Sequence, residues 1–137
     1  MKPAFELHPQ LASDTLFVGD LPLGRIVLMN ESRYPWFILV PRRANISEIY
    51  QLTKAERSQI WEESDLLSRQ LMQLFQADKL NIAALGNMVP QLHLHHIARF
   101  KTDAAWPAPV WGKFKAEPYS EAAAVQRIQQ MRQALGI

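Results

Sequence analysis

The stretch Pro90–Phe100 reads PQLHLHHIARF and contains three of the four histidines in the chain. Polar and apolar residues alternate along it, which indicates a β-strand with different surroundings on its two faces. Because successive side chains of a strand point to opposite faces, Gln91, His93 and His95 are expected on one face and the residues between them on the other. Histidine has no special preference for strands, so the clustering predicts a chemical role.

Other apolar runs predict further strands. Leu16–Val18 and Arg25–Met29 are separated by glycine and proline, which is typical of two strands joined by a turn. The run WFILV at 36–40 is continuous, as in a strand buried on both faces, and Pro41 is expected to end it because proline cannot donate to a ladder. The apolar run, Gly-Asn break and histidine run of 80–97 predict two antiparallel strands with a tight connection.

Two helices are predicted as well. The segment Thr53–Glu56 has the spacing of a capping box, and the apolar periodicity behind it predicts an amphipathic helix from 54 to about 76. Ser120 can cap a C-terminal helix over about 119–135, after an ordered proline-rich loop. The N-terminal segment to about Ser13 is expected to be irregular. This order favours an α+β fold with an antiparallel sheet of about five strands over alternating βαβ units.

Length and composition limit the remaining choices. A chain of 137 residues predicts one domain over 1–137 with its core at about 14–112. The absence of cysteine excludes disulfides and thiolate metal sites. A net charge of +2 from scattered basic residues does not favour a nucleic-acid polymer as partner. No apolar run approaches the roughly 18 residues of a membrane span, and MKPAFELHPQ lacks the apolar region of a secretory signal, so a cytoplasmic protein is expected.

Three interpretations of the histidine pair compete. Two imidazoles on one strand face can bind a metal, but a zinc site needs further ligands and no carboxylate lies between Asp78 and Asp103. As purely structural groups, the pair and Gln91 would need several hydrogen-bond partners; His96, on the opposite face, is expected to be structural, and His8 an exposed bystander. Neutral imidazole is also a nucleophile at phosphorus, and a second imidazole, when protonated, can stabilise the charge that develops.

The stretch QLHLHHI at 91–97 resembles the His-φ-His-φ-His-φ-φ signature (φ, apolar) of the histidine triad (HIT) superfamily of nucleotide hydrolases and transferases. The segments RIVLMNESRYPWFILVPRR and LNIAALGNMVP resemble that family too, so the similarity spans about 16–111. Gln91 stands where the first histidine is usual, as in a bacterial branch in which Gln-Leu-His-φ-His is normal. The resemblance implies an antiparallel sheet with a long helix, usually paired into a homodimer with one continuous sheet.

The resemblance also implies a mechanism. His93 is the expected nucleophile toward the α-phosphate of a nucleotide, giving a phosphohistidine intermediate that water or another acceptor resolves, and His95 is expected to steady the phosphate. Phosphoanhydride or phosphoramidate nucleotides, such as dinucleoside polyphosphates, are the implied substrates. No cofactor or resident metal is required, although a polyphosphate can bring magnesium. Four further residues are expected to contact the ribose or the phosphates: Asn30, Asn87, Gln91 and Arg99.

The chain departs from the family pattern at two places besides Gln91. PRRAN offers Ala44 and Asn45 where the family frequently has a histidine, and Met88 follows Asn87 where a serine is common. Fewer donors to phosphate support a second hypothesis, a nucleotide-binding protein with little turnover. The base is expected in an apolar pocket, for which four residues are candidates: Phe5, Leu7, Phe17 and Leu28.

Overall fold

A computed structural model of the chain describes residues 4–137; the first three residues of the predicted domain and N-terminal segment lie outside the described part. One antiparallel sheet contains five strands, β1 (Thr15–Asp20), β2 (Gly24–Met29), β3 (Trp36–Pro41), β4 (Lys79–Ala83) and β5 (Leu94–Arg99). The helices of the described residues are α1 (Pro9–Asp14), α2 (Lys54–Phe75) and α3 (Glu121–Leu135), with a 3-10 turn at Ile49–Gln51. The predicted α+β class with one long and one C-terminal helix is confirmed. None of the helices in this range has the length and apolar character needed to span a membrane.

The strands lie in the order β1-β2-β3-β5-β4, and every neighbouring pair is antiparallel. β3 is central and buried at every position, as its continuous apolar run predicted, and it ends at Pro41. β1 and β4 are the edges. β1 shifts register between Phe17 and Gly19, a bulge of the kind that twists an edge strand.

The two faces of the sheet are covered differently. Helix α2 packs on one face through the buried side chains of Ile60, Leu67 and Leu71, and we call this the helix face. The opposite face carries Val27, Ile38 and Ile97 and is covered by the irregular segment 101–118. We call it the histidine face because His93 and His95 lie on it.

Helix α2 begins and ends where the sequence predicted. The Oγ1 of Thr53 accepts from the N–H of Glu56, and the Glu56 carboxylate accepts from the N–H of Thr53, which completes the capping box. Gln76, in the left-handed conformation, ends the helix. The buried carboxylate of Glu63 accepts from the N–H of Gly24 at 2.7 Å. A Cβ on Gly24 would lie 2.4 Å from Cδ1 of Leu39 and 2.9 Å from that carboxylate, so a side chain there would force both neighbours to shift.

Two local predictions were wrong. The N-terminal segment contains the short helix α1, which begins with Pro9, a favoured first residue, and is capped by Nδ1 of His8 accepting from the N–H of Gln10. His8 is therefore a half-buried capping residue rather than a bystander. The connection between β4 and β5 is not tight but runs from Ala84 to His93. Gly86 adopts a φ of 78° there without closing a two-residue turn.

Candidate active site

His93 and His95 lie side by side on the histidine face, His93 just before β5 and His95 within it. Their ring centroids are 4.9 Å apart and the ring planes meet at 70°, so the rings lean together across the roughly 6.6 Å that separates alternate residues of a strand. Both line a cavity of about 420 Å³, here called the histidine cavity. Its other walls are Leu85, Gly86, Asn87, Met88, Val89 and Trp111.

The position of the hydrogen on His93 follows from its hydrogen bond. Nδ1 of His93 lies 2.7 Å from the backbone carbonyl oxygen of Gln91. Because a carbonyl only accepts, Nδ1 must carry the hydrogen, and Nε2 of the neutral ring keeps its lone pair. In this neutral tautomer, the nucleophilic lone pair of His93 is therefore on Nε2.

His95 has the opposite arrangement. The indole Nε1–H of Trp36 donates to Nδ1 of His95 at 2.9 Å; an indole N–H only donates, so the ring hydrogen of neutral His95 is on Nε2. Burial, together with the neighbouring imidazoles of His93 and His96, lowers the pKa of His95 to about 3. At neutral pH His95 is a neutral ring with one N–H, rather than the protonated imidazole considered from the sequence.

Two tryptophans lie next to His95, and the sequence analysis predicted neither of them as its neighbour. The ring centroid of Trp111 lies 5.3 Å from that of His95, and Trp36 and Trp111 meet edge to face at 6.2 Å. Strand alternation places Trp36 on the same face as Ile38. Ile38 pairs with His95, so the position of Trp36 near His95 follows once the pairing of β3 with β5 is known. Trp111 lies in the irregular segment, where no periodicity predicts a direction.

The four predicted substrate-binding residues occupy different surroundings. Asn87 lines the histidine cavity. The amide of Gln91 holds the N-terminal segment instead, since Oε1 accepts from the N–H of His8 and Nε2 donates to the carbonyl of Glu6, both at 2.8 Å. Oδ1 of Asn30 accepts from the N–H of Tyr119 at 2.9 Å. Roles in substrate binding stay predictions for these residues.

Arg99 is the fourth of them, and its guanidinium is buried against protein groups. It makes two hydrogen bonds to the Asp103 carboxylate, one to Oδ1 of Asn81 and one to the carbonyl of Ala108. Burial raises the pKa of Asp103, but hydrogen bonds from Arg99 and from the backbone N–H groups of Phe100 and Trp106 outweigh it and hold the value at about 2. Arg99 thus anchors the segment that carries Trp111.

His96 faces α2, as its strand position predicted. Its Nδ1–H donates to the carbonyl of Leu94 at 2.9 Å, and its Nε2 accepts from Oγ of Ser64 at 2.7 Å. Burial lowers the pKa of His96 to about 4. This ring is a satisfied core group, consistent with the structural role expected for it. Across residues 4–137, no group of three or more histidine, aspartate or glutamate side chains is arranged to hold a metal ion.

Comparisons with known proteins match this chain to one family. The family model of the HIT domain matches residues 10–102. A histidine triad protein from Marinobacter aquaeolei VT8 is 47% identical in sequence, with 98% of each chain covered and a TM-score of 0.96. A histidine triad protein from Bradyrhizobium japonicum is 44% identical, with 97% of this chain and 99% of that chain covered and a TM-score of 0.95.

A third solved structure, a histidine triad protein from Sinorhizobium meliloti 1021, is 42% identical over 95% of this chain and 96% of that chain, with a TM-score of 0.93. No curated protein matches the chain. The family model covers well over half of the sequence, including the two imidazoles that share the histidine cavity. This chain is therefore a member of the histidine triad (HIT) family.

Proposed function

We propose that this protein is a nucleotide hydrolase or nucleotidyl transferase in which His93 attacks the α-phosphate of the substrate. Membership in the HIT family supports nucleotide hydrolysis or transfer in general terms. The observation that carries the specific proposal is the complementary placement of hydrogens on the two rings: a lone pair on Nε2 of His93 and an N–H on Nε2 of His95. Both rings line one cavity, which supports their proposed roles as nucleophile and hydrogen-bond donor toward one phosphate.

The proposed reaction has two displacements. In the first, the Nε2 lone pair of His93 forms a bond to the α-phosphorus while the bond from phosphorus to the leaving group breaks, and the leaving group departs with the electron pair. In the second, water or another acceptor forms a bond to phosphorus, its proton passes to solvent, and the N–P bond breaks to restore the lone pair of His93. The Nε2–H of His95 donates to a non-bridging phosphate oxygen as negative charge develops there.

The proposed substrates are phosphoanhydride or phosphoramidate nucleotides. Asn87 lines the cavity, and its proposed role is to donate amide hydrogens to phosphate oxygen without adding charge. The reaction as written needs no metal, although a polyphosphate substrate can carry magnesium into the site. A cytoplasmic location is part of the proposal, and the lack of cysteine suits a reducing compartment.

We also propose the homodimer with a continuous sheet that the family resemblance implied. β4 is an edge strand with free backbone groups, and such edges pair readily with another strand. Ile82 on β4 and Leu85 and Met88 in the following loop are exposed, Met88 to 93%. Light scattering of the wild type and of an Ile82→Lys variant tests the dimer: the proposal expects a dimeric mass that the variant reduces, and a monomeric wild type contradicts it.

The catalytic proposal is tested with a panel of adenylated and guanylated phosphoanhydrides and phosphoramidates. The wild type is expected to release nucleoside monophosphate from at least one of them, and His93→Ala to lose at least about 10³-fold of that rate, because no other group replaces a covalent nucleophile. Tyr50→Ala, an exposed residue outside the cavity, is the matched control. Turnover that survives in His93→Ala contradicts the mechanism.

Two further outcomes separate the alternatives. Tight binding of nucleoside monophosphates without turnover of any substrate favours the second hypothesis, a nucleotide-binding protein. A metal-dependent enzyme predicts that chelator abolishes activity and that added metal restores it. Full activity of metal-free protein on a phosphoramidate, which needs no magnesium, excludes that alternative.

A further inference from the structure

Gln91 stands where HIT proteins usually have the first histidine of the motif, and its side-chain amide contacts the N-terminal segment. Oε1 accepts from the backbone N–H of His8 and Nε2 donates to the backbone carbonyl of Glu6, both at 2.8 Å. We call this pair of hydrogen bonds the amide clasp. A neutral imidazole carries its donor and its acceptor on nitrogens that point away from each other, so a histidine at this position is not expected to form both bonds.

The backbone of Gln91 contacts the proposed nucleophile directly. Its carbonyl oxygen lies 2.7 Å from Nδ1 of His93, and this bond keeps the ring hydrogen on Nδ1. The N–H of Leu92, which belongs to the same peptide unit as that carbonyl, donates to the carbonyl of Ile46 at 2.9 Å. Because a peptide unit is planar, the direction of the carbonyl and the orientation of the His93 ring depend on the placement of this one unit.

The peptide unit between Gln91 and Leu92 lies outside regular secondary structure. It belongs to the connection from Ala84 to His93, which contains neither strand nor helix. No ladder or helical hydrogen bonds hold this connection, so its conformation depends on individual contacts. The amide clasp holds the residue on one side of the peptide unit, and the bond to Ile46 holds the unit itself.

The N-terminal segment is itself attached to the sheet. Leu11 of α1 is buried in the core of the histidine face, and its carbonyl accepts from the hydroxyl of Thr15 at 2.6 Å. The N–H of Asn30 donates to the carbonyl of Asp14 at 3.0 Å. Residues 6–8 lead directly into this helix, so the amide clasp connects the loop before β5 to a fixed part of the molecule.

We propose that the backbone of Glu6 and His8 positions the nucleophile His93, through the amide clasp and the carbonyl that Gln91 presents to Nδ1. The inference rests on the proposed function for the role of His93 as nucleophile. It makes Gln91 a positioning residue rather than a ligand of the phosphate. The glutamine in place of the first histidine then serves to attach the N-terminal segment to the site.

The primary test is Gln91→Met in the full-length protein. Methionine is similarly long and flexible but has no amide, so the amide clasp is lost while the loop keeps its bulk. Long-range proton–nitrogen correlation spectra of ¹⁵N-histidine-labelled protein, recorded well above the ordinary histidine pKa of 6.5, show which ring nitrogen carries the hydrogen. His93 is expected to carry it on Nδ1 in the wild type and to show both tautomers in Gln91→Met. Comparison with His93→Ala assigns the signals.

Steady-state kinetics separates positioning from substrate binding. The loss of two partly exposed hydrogen bonds corresponds to about 5- to 30-fold in rate. In Gln91→Met, kcat is expected to fall by that factor while KM stays within about twofold of the wild-type value. A raised KM with unchanged kcat assigns Gln91 to substrate binding and overturns the inference.

A matched pair of variants at His8 tests the clasp from its other side. His8→Pro removes the backbone N–H that donates to Gln91, and the φ of −51° at His8 suits proline. His8→Ala removes the same imidazole but keeps the N–H, so it is the reference. Only His8→Pro is expected to give both tautomers of His93. Combining it with Gln91→Met is expected to add little to either change, because both variants remove the same hydrogen bond.

Two further results overturn the inference: the hydrogen of His93 stays on Nδ1 in Gln91→Met, or His8→Pro and His8→Ala give the same spectrum. A lower thermal midpoint with an unchanged tautomer shows that the amide clasp has only a structural role, which also contradicts positioning.

The inference and the proposed function fail separately. A protein that turns over nucleotides while Gln91→Met keeps the wild-type tautomer and kcat retains the proposed function and loses the positioning role. A protein without turnover on any substrate of the panel loses the proposed function, whereas the spectra of the same variants still decide whether the N-terminal segment orients His93.

Discussion

His95 and His96 are neighbours in β5 but face opposite sides of the sheet and have different hydrogen-bond partners. His95 faces a cavity and accepts from Trp36 of the adjacent strand, which leaves its N–H free for a ligand. His96 faces α2, where Ser64 and the carbonyl of Leu94 occupy both of its nitrogens. Burial lowers the pKa of both rings. Among residues 4–137, hydrogen-bond partners therefore occupy both ring nitrogens of His96 but only Nδ1 of His95.

The segments that cover the two faces of the sheet also differ in what holds them in place. The helix face is covered by a long amphipathic helix, and the apolar periodicity of that helix determines which of its sides packs on the sheet. The histidine face is covered by the irregular segment 101–118. The position of this segment depends on specific polar contacts such as those of Arg99. We expect the histidine face to be more easily disturbed by the loss of one polar group.

The largest expected effect tests that anchor. Arg99→Met leaves the buried carboxylate of Asp103 without its ion pair, and removal of one partner of a buried pair costs about 3–5 kcal/mol. The unfolding free energy from urea denaturation is expected to fall by that amount, with activity reduced because Trp111 loses its support. The control is Arg69→Met, which removes an exposed pair with Asp65 and is expected to leave stability unchanged. Equal stabilities of the two variants contradict the assignment of Arg99 as an anchor.

A second variant removes the hydrogen bond that Trp36 donates to His95. Trp36→Phe removes the N–H that directs the ring hydrogen of His95 to Nε2, at a cost of about 1–3 kcal/mol in the transition state, or about 5- to 150-fold in kcat/KM. Steady-state kinetics on the preferred substrate measures it. Trp61→Phe, an exposed tryptophan of α2, provides the matched control. An unchanged kcat/KM in Trp36→Phe means that the tautomer of His95 has no part in the reaction.

The corresponding change on the helix face is expected to affect stability instead. Ser64→Ala removes the donor to Nε2 of the fully buried His96 and is expected to lower the unfolding free energy by about 1–2 kcal/mol, with kcat/KM at the wild-type value. Ser68→Ala, one turn further along α2, serves as the control. If Ser64→Ala lowers activity more than stability, the two faces are not separable as described.

A separate expected effect is a dependence of stability on pH. In the unfolded chain, His95 and His96 take up protons near the ordinary histidine pKa of 6.5. In the folded protein their pKa values are lowered to about 3 and about 4. Stability is therefore highest above pH 6.5 and decreases as the pH falls from 6.5 toward 4, because only the unfolded state binds protons there. Urea denaturation between pH 7.5 and pH 4.5 measures the slope, and His96→Gln is expected to reduce it. An unfolding free energy that does not change with pH over this range contradicts the lowered pKa values of His95 and His96.

Much of the fold could be predicted because its signals are local. The capping box at Thr53, the helical periodicity of α2 and the proline that ends β3 each act over a few residues. The long β4–β5 connection was missed because Gly86 and Asn87 look like a two-residue turn in the sequence. The anchoring role of Arg99 was missed because a terminal arginine of a strand has the same sequence pattern whether it is exposed or buried.

The sequence by itself determined that His93 and His95 share one face of a strand and that His96 lies on the other, since the alternation follows from the covalent geometry of an extended chain. Only the tertiary structure decided where the hydrogen of His95 is, because its partner Trp36 lies 59 residues away in the chain. The same holds for the wall of the histidine cavity formed by Trp111. Hydrogen-bond donors and aromatic walls are brought to a site by packing of distant segments, and no local pattern specifies which segments meet.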